Sequence, residues 1–262
     1  MRESPWSERR PLWLEIDFFL RILERHRLSR AWLQHLSPQL LGAFQTSSRG
    51  FLALASLPEF SFDELPDRAG GEVVFSRWCE ISVGRVSVQE ALAELAVEVR
   101  KHELWVASHP AIHSARLRSS EIARDQGAHA ALRFFGGGEK HSRRLFAKSE
   151  DADRRGYDAP SLSSVVLYWH HSAWGCVDAP AVRRPLFERE TPHEVIWIPE
   201  VCPHRDLLLR EDRQVADFLC ERQRDWFHGF AAAWHLDCEF RRLGPKTATE
   251  ACRVALVSGA LA

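Results

Sequence analysis

Four pieces of one stretch decide how the chain reads: Ser161–Val177 (SLSSVVLYWHHSAWGCV), His193–Pro199 (HEVIWIP), Cys202–Leu209 (CPHRDLLL) and Arg210–Leu219 (REDRQVADFL). Val165 to Trp169 is short, β-branched and aromatic, and predicts a strand. Trp174–Val177 is a candidate to pair with it. Val195, Ile196, Trp197 and Ile198 form the clearest strand, closed by Pro199. His204–Leu209 is a candidate short return strand. Glu211–Leu219 has Val215, Phe218 and Leu219 at helical spacing. The stretch is the only strand-rich part of an otherwise helical chain, so the expected fold class is α+β.

Outward from it, residues 1–138 read as a helical domain, 139–160 as a polar linker, and 161–262 as a small α+β domain. In the helical half, Leu12, Ile16, Phe19, Leu20 and Leu23 mark one amphipathic helix over Pro11–Leu28. Ser29 is suited to cap a second helix running to a break near Pro38. Phe51–Leu57 is a short apolar segment, and Leu57–Gly71, with two prolines and two glycines, reads as loop. Val73–Val83 fits a helix slightly better than a strand. Ser87 followed three residues later by Glu90 is a capping box, opening a helix that His109-Pro110 ends. Ser119 and Ser120 offer a cap for another helix, stopped by Gly136–Gly138. Beyond the decisive stretch, Asp225–Phe240 reads as an aromatic-rich helix. Thr247 with Glu250 reads as a second capping box, opening a terminal helix to Gly259.

Composition narrows the function. Thirty-five Lys and Arg nearly balance 36 Asp and Glu, for a net charge of -1, which gives no basic excess for nucleic acid or an anionic membrane. No apolar run approaches the roughly 20 residues that cross a bilayer. The start, MRESPWSERRPLW, lacks the apolar core of a signal peptide. The expected compartment is the cytoplasm. There the six scattered cysteines read as reduced thiols, and they contain no CxxC pair.

Few residues point to chemistry. Gly136–Gly138 lacks the preceding strand and the Lys-Ser/Thr pair of a phosphate loop. GxSxG, HExxH and GxGxxG are all absent. His170, His171, Cys176, Cys202 and His204 supply imidazole and thiolate ligands that would converge if their strands were neighbours. The same residues would also provide a Cys/His nucleophile pair. This is the alternative reading, a stand-alone metal- or thiol-dependent enzyme. Against it, their spacing matches no standard site. His228 on DWFHGFAAAWHLDC reads as a packed core residue rather than a haem ligand.

The leading reading is a binding groove. A short strand edge beside a helix takes an extended peptide as an extra strand, with main-chain bonds for affinity and side-chain pockets for specificity. Val195, Ile196, Trp197 and Ile198, with Leu207, Leu208, Val215 and Phe218, are its candidate lining. The competing expectation is that both faces of this strand are buried in one core.

The order SLSSVVLYW, EVIWIP, HRDLLL, VADFL and a terminal helix ending GALA resembles the C-terminal half of a known family. These are the partner proteins of multinuclear non-haem iron oxidative enzymes in ribosomal-peptide biosynthesis, as in the methanobactin and 3-thiaglutamate pathways. The resemblance covers roughly the last hundred residues. It implies a heterodimer with an iron-dependent oxidative enzyme, in which this chain binds the leader of a precursor peptide and presents it. It further implies that the iron belongs to the enzyme subunit, and that this chain holds no cofactor and contributes no catalytic residue. The extra His and Cys residues between His170 and His204, and the long polar segment before the domain, depart from that pattern.

Overall fold

The computed structural model describes residues 13–41, 49–58, 60–62, 65–66, 68–82, 87–134, 162–163, 165–166, 187–198, 212–242 and 252–258. The fold is mixed α+β. Helices α1 (Trp13–Leu36), α2 (Arg49–Ala55), α3 (Arg68–Ser82), α4 (Val88–Ser108), α5 (Pro110–Ser114) and α6 (Arg116–Phe134), with a 3-10 turn at Pro38–Leu40, make up the N-terminal half. Strands β1 (Phe187–Glu190) and β2 (Glu194–Trp197), helix α7 (Arg213–Ala232), and strands β3 (Leu236–Arg242) and β4 (Cys252–Ser258) follow. The chain divides into two compact units between Ser119 and Ser120, in the first turn of α6. The polar segment 139–160 lies outside the described residues.

The first unit is built around α1, which is one 24-residue helix rather than two. Ser29 is fully buried within it and starts no new helix. α1 ends at Leu36, two residues before Pro38, whose ring and missing N–H bar it from continuing. Phe19 of α1 meets Phe75 and Trp78 of α3 with ring centroids 5.2 and 5.1 Å apart. The Trp78 indole donates to the Gly50 carbonyl at 3.0 Å. Leu92, Leu95 and Val99 close this core from α4.

α3 begins at Arg68, inside the stretch expected to be loop. Gly71 is the reason. A Cβ there would lie 2.7 Å from Leu20 Cδ2, so the glycine lets α3 approach α1, and this packing outweighs its poor helix propensity.

α4 starts as its sequence predicts. Ser87 Oγ accepts from the Glu90 N–H at 3.2 Å, and Glu90 Oε2 accepts from the Ser87 N–H at 2.8 Å. Ser87→Ala removes the first of these bonds, and we expect a loss of about 1 kcal/mol in a urea titration. An unchanged midpoint would show that the box contributes nothing. His109 is extended, as the residue before a proline prefers, and it ends α4 while its Nδ1 caps α5. α6 starts at Arg116, so Ser119 is inside the helix rather than its cap. Its buried hydroxyl donates to the Arg116 carbonyl at 2.8 Å, and its own carbonyl accepts from the Trp32 indole at 3.2 Å.

The second unit holds a four-stranded antiparallel sheet in the order β1-β2-β4-β3. Three expectations fail here. Val165 and Val166 have helical backbone and are buried, not extended. Residues 167–169 and the candidate pairing strand 174–177 lie outside the described residues. The helix expected over Asp225–Phe240 stops at Ala232, where the turn through His235, at φ 54, leads into β3. That left-handed residue sits just past a helix end, where such a conformation closes the last turn. Finally, the terminal segment is strand β4, not a helix. Its register places Val254 opposite Trp197 and Phe240, and Leu256 opposite Val195 and Cys238. The valine and leucine rows fill the sheet's inner face, and this cross-strand packing decides between two periodicities that the sequence leaves close.

Candidate functional site

The site is built from the sheet and α7. Residues directly opposite in antiparallel strands share a face. One face therefore carries Phe187, Trp197, Val254 and Phe240 in one row, and Val195, Leu256 and Cys238 in the next. Val195, Trp197, Val254 and Leu256 are fully buried. The other face carries charge along its margins. Arg189 pairs with Glu194 at 2.6 Å, Arg253 with Glu188 at 2.8 Å, and Arg241 with Glu239 at 2.6 Å. Between them Ile196 and Ala255 are buried too.

The expected groove residues are now placed. Val195, Ile196 and Trp197 form a strand, as predicted, but β2 is an interior strand with β1 on one side and β4 on the other. Its hydrogen-bonding edges are both taken, so it offers no edge to a peptide. Ile198 follows it, half-buried. Val215 and Phe218 lie on α7 with 5% and 0% of their surface exposed. These side chains are core, which matches the competing expectation that both faces of the strand are buried. Leu207 and Leu208 lie outside the described residues, as do His170, His171, Cys176, Cys202 and His204. Among the described residues, no three His, Cys, Asp or Glu side chains are grouped to hold a metal ion.

α7 is one helix over the two segments read separately from sequence. Asp212 caps it, its side chain accepting from the Val215 N–H at 3.1 Å. The buried Val215, Phe218, Leu219, Arg222, Trp226, Phe227 and Phe230 recur at three- and four-residue spacing, the mark of an apolar stripe. Arg222 is buried within this stripe, its guanidinium over the Phe218 ring and 3.2 Å from the buried Asp225 carboxylate. A cation and an anion this deep are tolerated because each offsets the other's charge, with Arg124 also 3.5 Å from the Asp225 carboxylate. α7 packs against β3, where the Phe227 and Phe240 rings lie 6.1 Å apart.

Among the described residues, the outer strands of the sheet are β1 and β3, and they differ. β1 has four residues, a register irregularity between Phe187 and Arg189, and side chains tied into ion pairs or, for Glu190, a bond from Ser163. Short length, a bulge and charge are the devices by which proteins protect an edge from pairing. β3 pairs with β4 in unbroken register over all seven residues. Asp237, Glu239 and Arg241 point outward and exposed, while Cys238 and Phe240 face α7 half-buried. Among the described strands, β3 is the one that combines an outer position with packing against α7. Strict alternation in LDCEFRR was the signal that would have found it.

Cys79 is buried, and Cys220 and Cys238 are half-buried. Burial pushes Cys79 up to about 12, with Glu15 and Glu80 adding to the effect, and burial alone pushes Cys238 up to about 12. Since the thiolate is the reactive form, neither should be alkylated by iodoacetamide at about pH 8 in the native chain. Both should label once urea unfolds it. Native labelling at the unfolded rate, read by peptide mass, would contradict the burial argument.

Compared with protein-family models, curated proteins and solved structures, the chain matches none. No helix among the described residues is long and apolar enough to cross a membrane.

Proposed function

We propose that this chain is a non-catalytic partner protein that binds a ribosomal precursor peptide and presents it to a multinuclear iron-dependent oxidative enzyme. The observation that carries the reading is the long, regular outer strand β3 lying against α7. A peptide segment adding to β3 gains main-chain hydrogen bonds along the strand. Its alternate side chains reach α7 beside Cys238 and Phe240, and the others reach Asp237, Glu239 and Arg241. The likeness of the EVIWIP and VADFL segments to the partner family supports the same reading. The terminal strand β4 departs from that family's pattern, which the sequence reading drew with a closing helix. In this reading the iron and the reacting groups belong to the enzyme subunit.

The test is a pull-down of the purified chain with the products of its neighbouring genes, followed by titration of any captured peptide. We expect an iron-enzyme subunit and a precursor peptide to be retained, and Glu239→Lys with Arg241→Glu to weaken the peptide alone. If neither protein nor peptide is retained, the reading is wrong.

A further inference from the structure

The most unusual cluster outside that site is a four-ring box in the helical unit. His26 of α1 is 2% exposed, although histidine is seldom so deeply buried. Its ring lies 4.6 Å from Phe51 of α2, 5.1 Å from Phe62 in the segment after α2, and 5.6 Å from His102 of α4. Phe51 closes the box, 5.7 Å from both Phe62 and His102. The two imidazoles thus touch each other and share Phe51, and Phe62 covers His26.

The charges around the box are uneven. From α1, the Arg30 guanidinium sits 5.6 Å from the Phe62 ring centroid. From α4, Glu98 Oε1 stands 3.9 Å from His102 Nε2. Glu103 also lies on α4, but it is engaged by Arg25 through two hydrogen bonds and lies 3.6 Å from Arg100. The faces contributed by α2 and the segment after it are the apolar rings Phe51 and Phe62. A proton on His26 would therefore meet the charges of Arg30 and His102 in a site closed to solvent. Burial, then His102 and Arg30, push its pKa down to about 3. Burial also lowers His102, against the opposing pull of Glu98 and Glu103. The first proton accordingly goes to His102, on the Glu98 side.

We propose that the His26–His102 box is an acid-operated latch, closed while both imidazoles are neutral and opened, by release of α2 and Phe62 from α1 and α4, when protons arrive. The direction follows from linkage. Both histidines bind protons more readily when exposed than when packed. The stabilisation of the closed box is complete above their ordinary value near 6.5 and is lost as pH falls below it. Each histidine held neutral shifts the opening equilibrium about tenfold per pH unit below that value, until its packed pKa is reached.

Hydrogen exchange on the full chain, at about pH 7 and about pH 4.5 and corrected for the intrinsic rate, reads the latch. For His26 alone the two pH units below 6.5 predict an opening equilibrium about 100-fold larger, read as about 100-fold faster exchange over residues 50–62. Over β4 the change should be at least tenfold smaller. His26→Phe keeps an aromatic ring without a titrating group, and should cut the acid response of residues 50–62 at least tenfold. His102→Gln, at a half-buried position, gives the second reading should His26→Phe fail to fold at about pH 7. Acceleration of β4 by the same factor as residues 50–62 would overturn the latch. So would a wild-type acid response in the folded variants.

Discussion

Gly127→Ala should destabilise the protein by about 3 kcal/mol, although helix propensity alone argues for a gain of up to about 1 kcal/mol. Gly127 of α6 faces α7 so closely that a Cβ there would lie 2.0 Å from the Trp226 carbonyl oxygen and 3.0 Å from the Phe230 nitrogen. The obstacle is backbone, so no rotamer change relieves it, and the helices must separate by roughly 1 Å or more to reach ordinary contact. Gly229 makes the reciprocal approach, its Cβ position 2.0 Å from the Arg124 carbonyl oxygen. Gly229→Ala should therefore cost about as much. The double variant should cost less than the sum, because one separation relieves both clashes. Gly50→Ala is the control, since its nearest neighbour would be the Leu95 Cδ1 methyl at 3.4 Å. It should stay within about 1 kcal/mol of the parent. Urea denaturation checks all four. A neutral or stabilised Gly127→Ala would mean that α6 and α7 do not cross as described. Because α7 also backs β3, any peptide affinity should fall with the two glycine variants and not with the control.

Glu103→Gln should cost the helical unit about 3 kcal/mol. Glu103 is 8% exposed, and its carboxylate accepts from Arg25 Nε at 2.7 Å and from Arg25 Nη2 as a fork. Arg100 Nη1 stands 3.6 Å away. Glutamine keeps the shape but removes the charge, leaving two cations facing a neutral amide in a place with little water. The penalty comes from the cation left behind rather than from the value of the pair. Replacing Arg25 and Glu103 together by Met and Leu should recover most of the loss, which a double-mutant cycle in urea measures. A single-variant loss below about 1 kcal/mol would place this pair among surface ion pairs instead. Since this pair lies next to His102, the same variant also bears on the latch. With the Glu103 charge gone, a proton on His102 is less well tolerated in the closed box, so the acid-driven opening should continue to lower pH and become larger.

Much of the helical half was legible in the sequence because its signals are local. Ser87 and Glu90 cap α4 through contacts three residues apart. His109 is extended because Pro110 follows it. Pro38 closes α1 for the same kind of reason. What misled was also local. Ser29 and Ser119 look like caps, but each lies within a helix and is fully buried. Gly71 lies in a stretch that reads as loop, yet it is where α3 passes close to α1. A side chain's partner across the core is not written in its neighbours along the chain.

The candidate site divides in the same way. By itself the sequence determined the α+β class, the strand at Val195–Trp197, the start of α7 and the absence of the common catalytic motifs, because periodicity and residue type suffice for these. Only the tertiary structure decided that β2 lies inside the sheet, that Cys252–Ser258 is a strand, and that β3 is the regular outer strand beside α7. A strand is completed by the hydrogen bonds of its neighbour. Whether it is an edge or a centre, and hence core or binding surface, is therefore a property of the sheet and not of the segment.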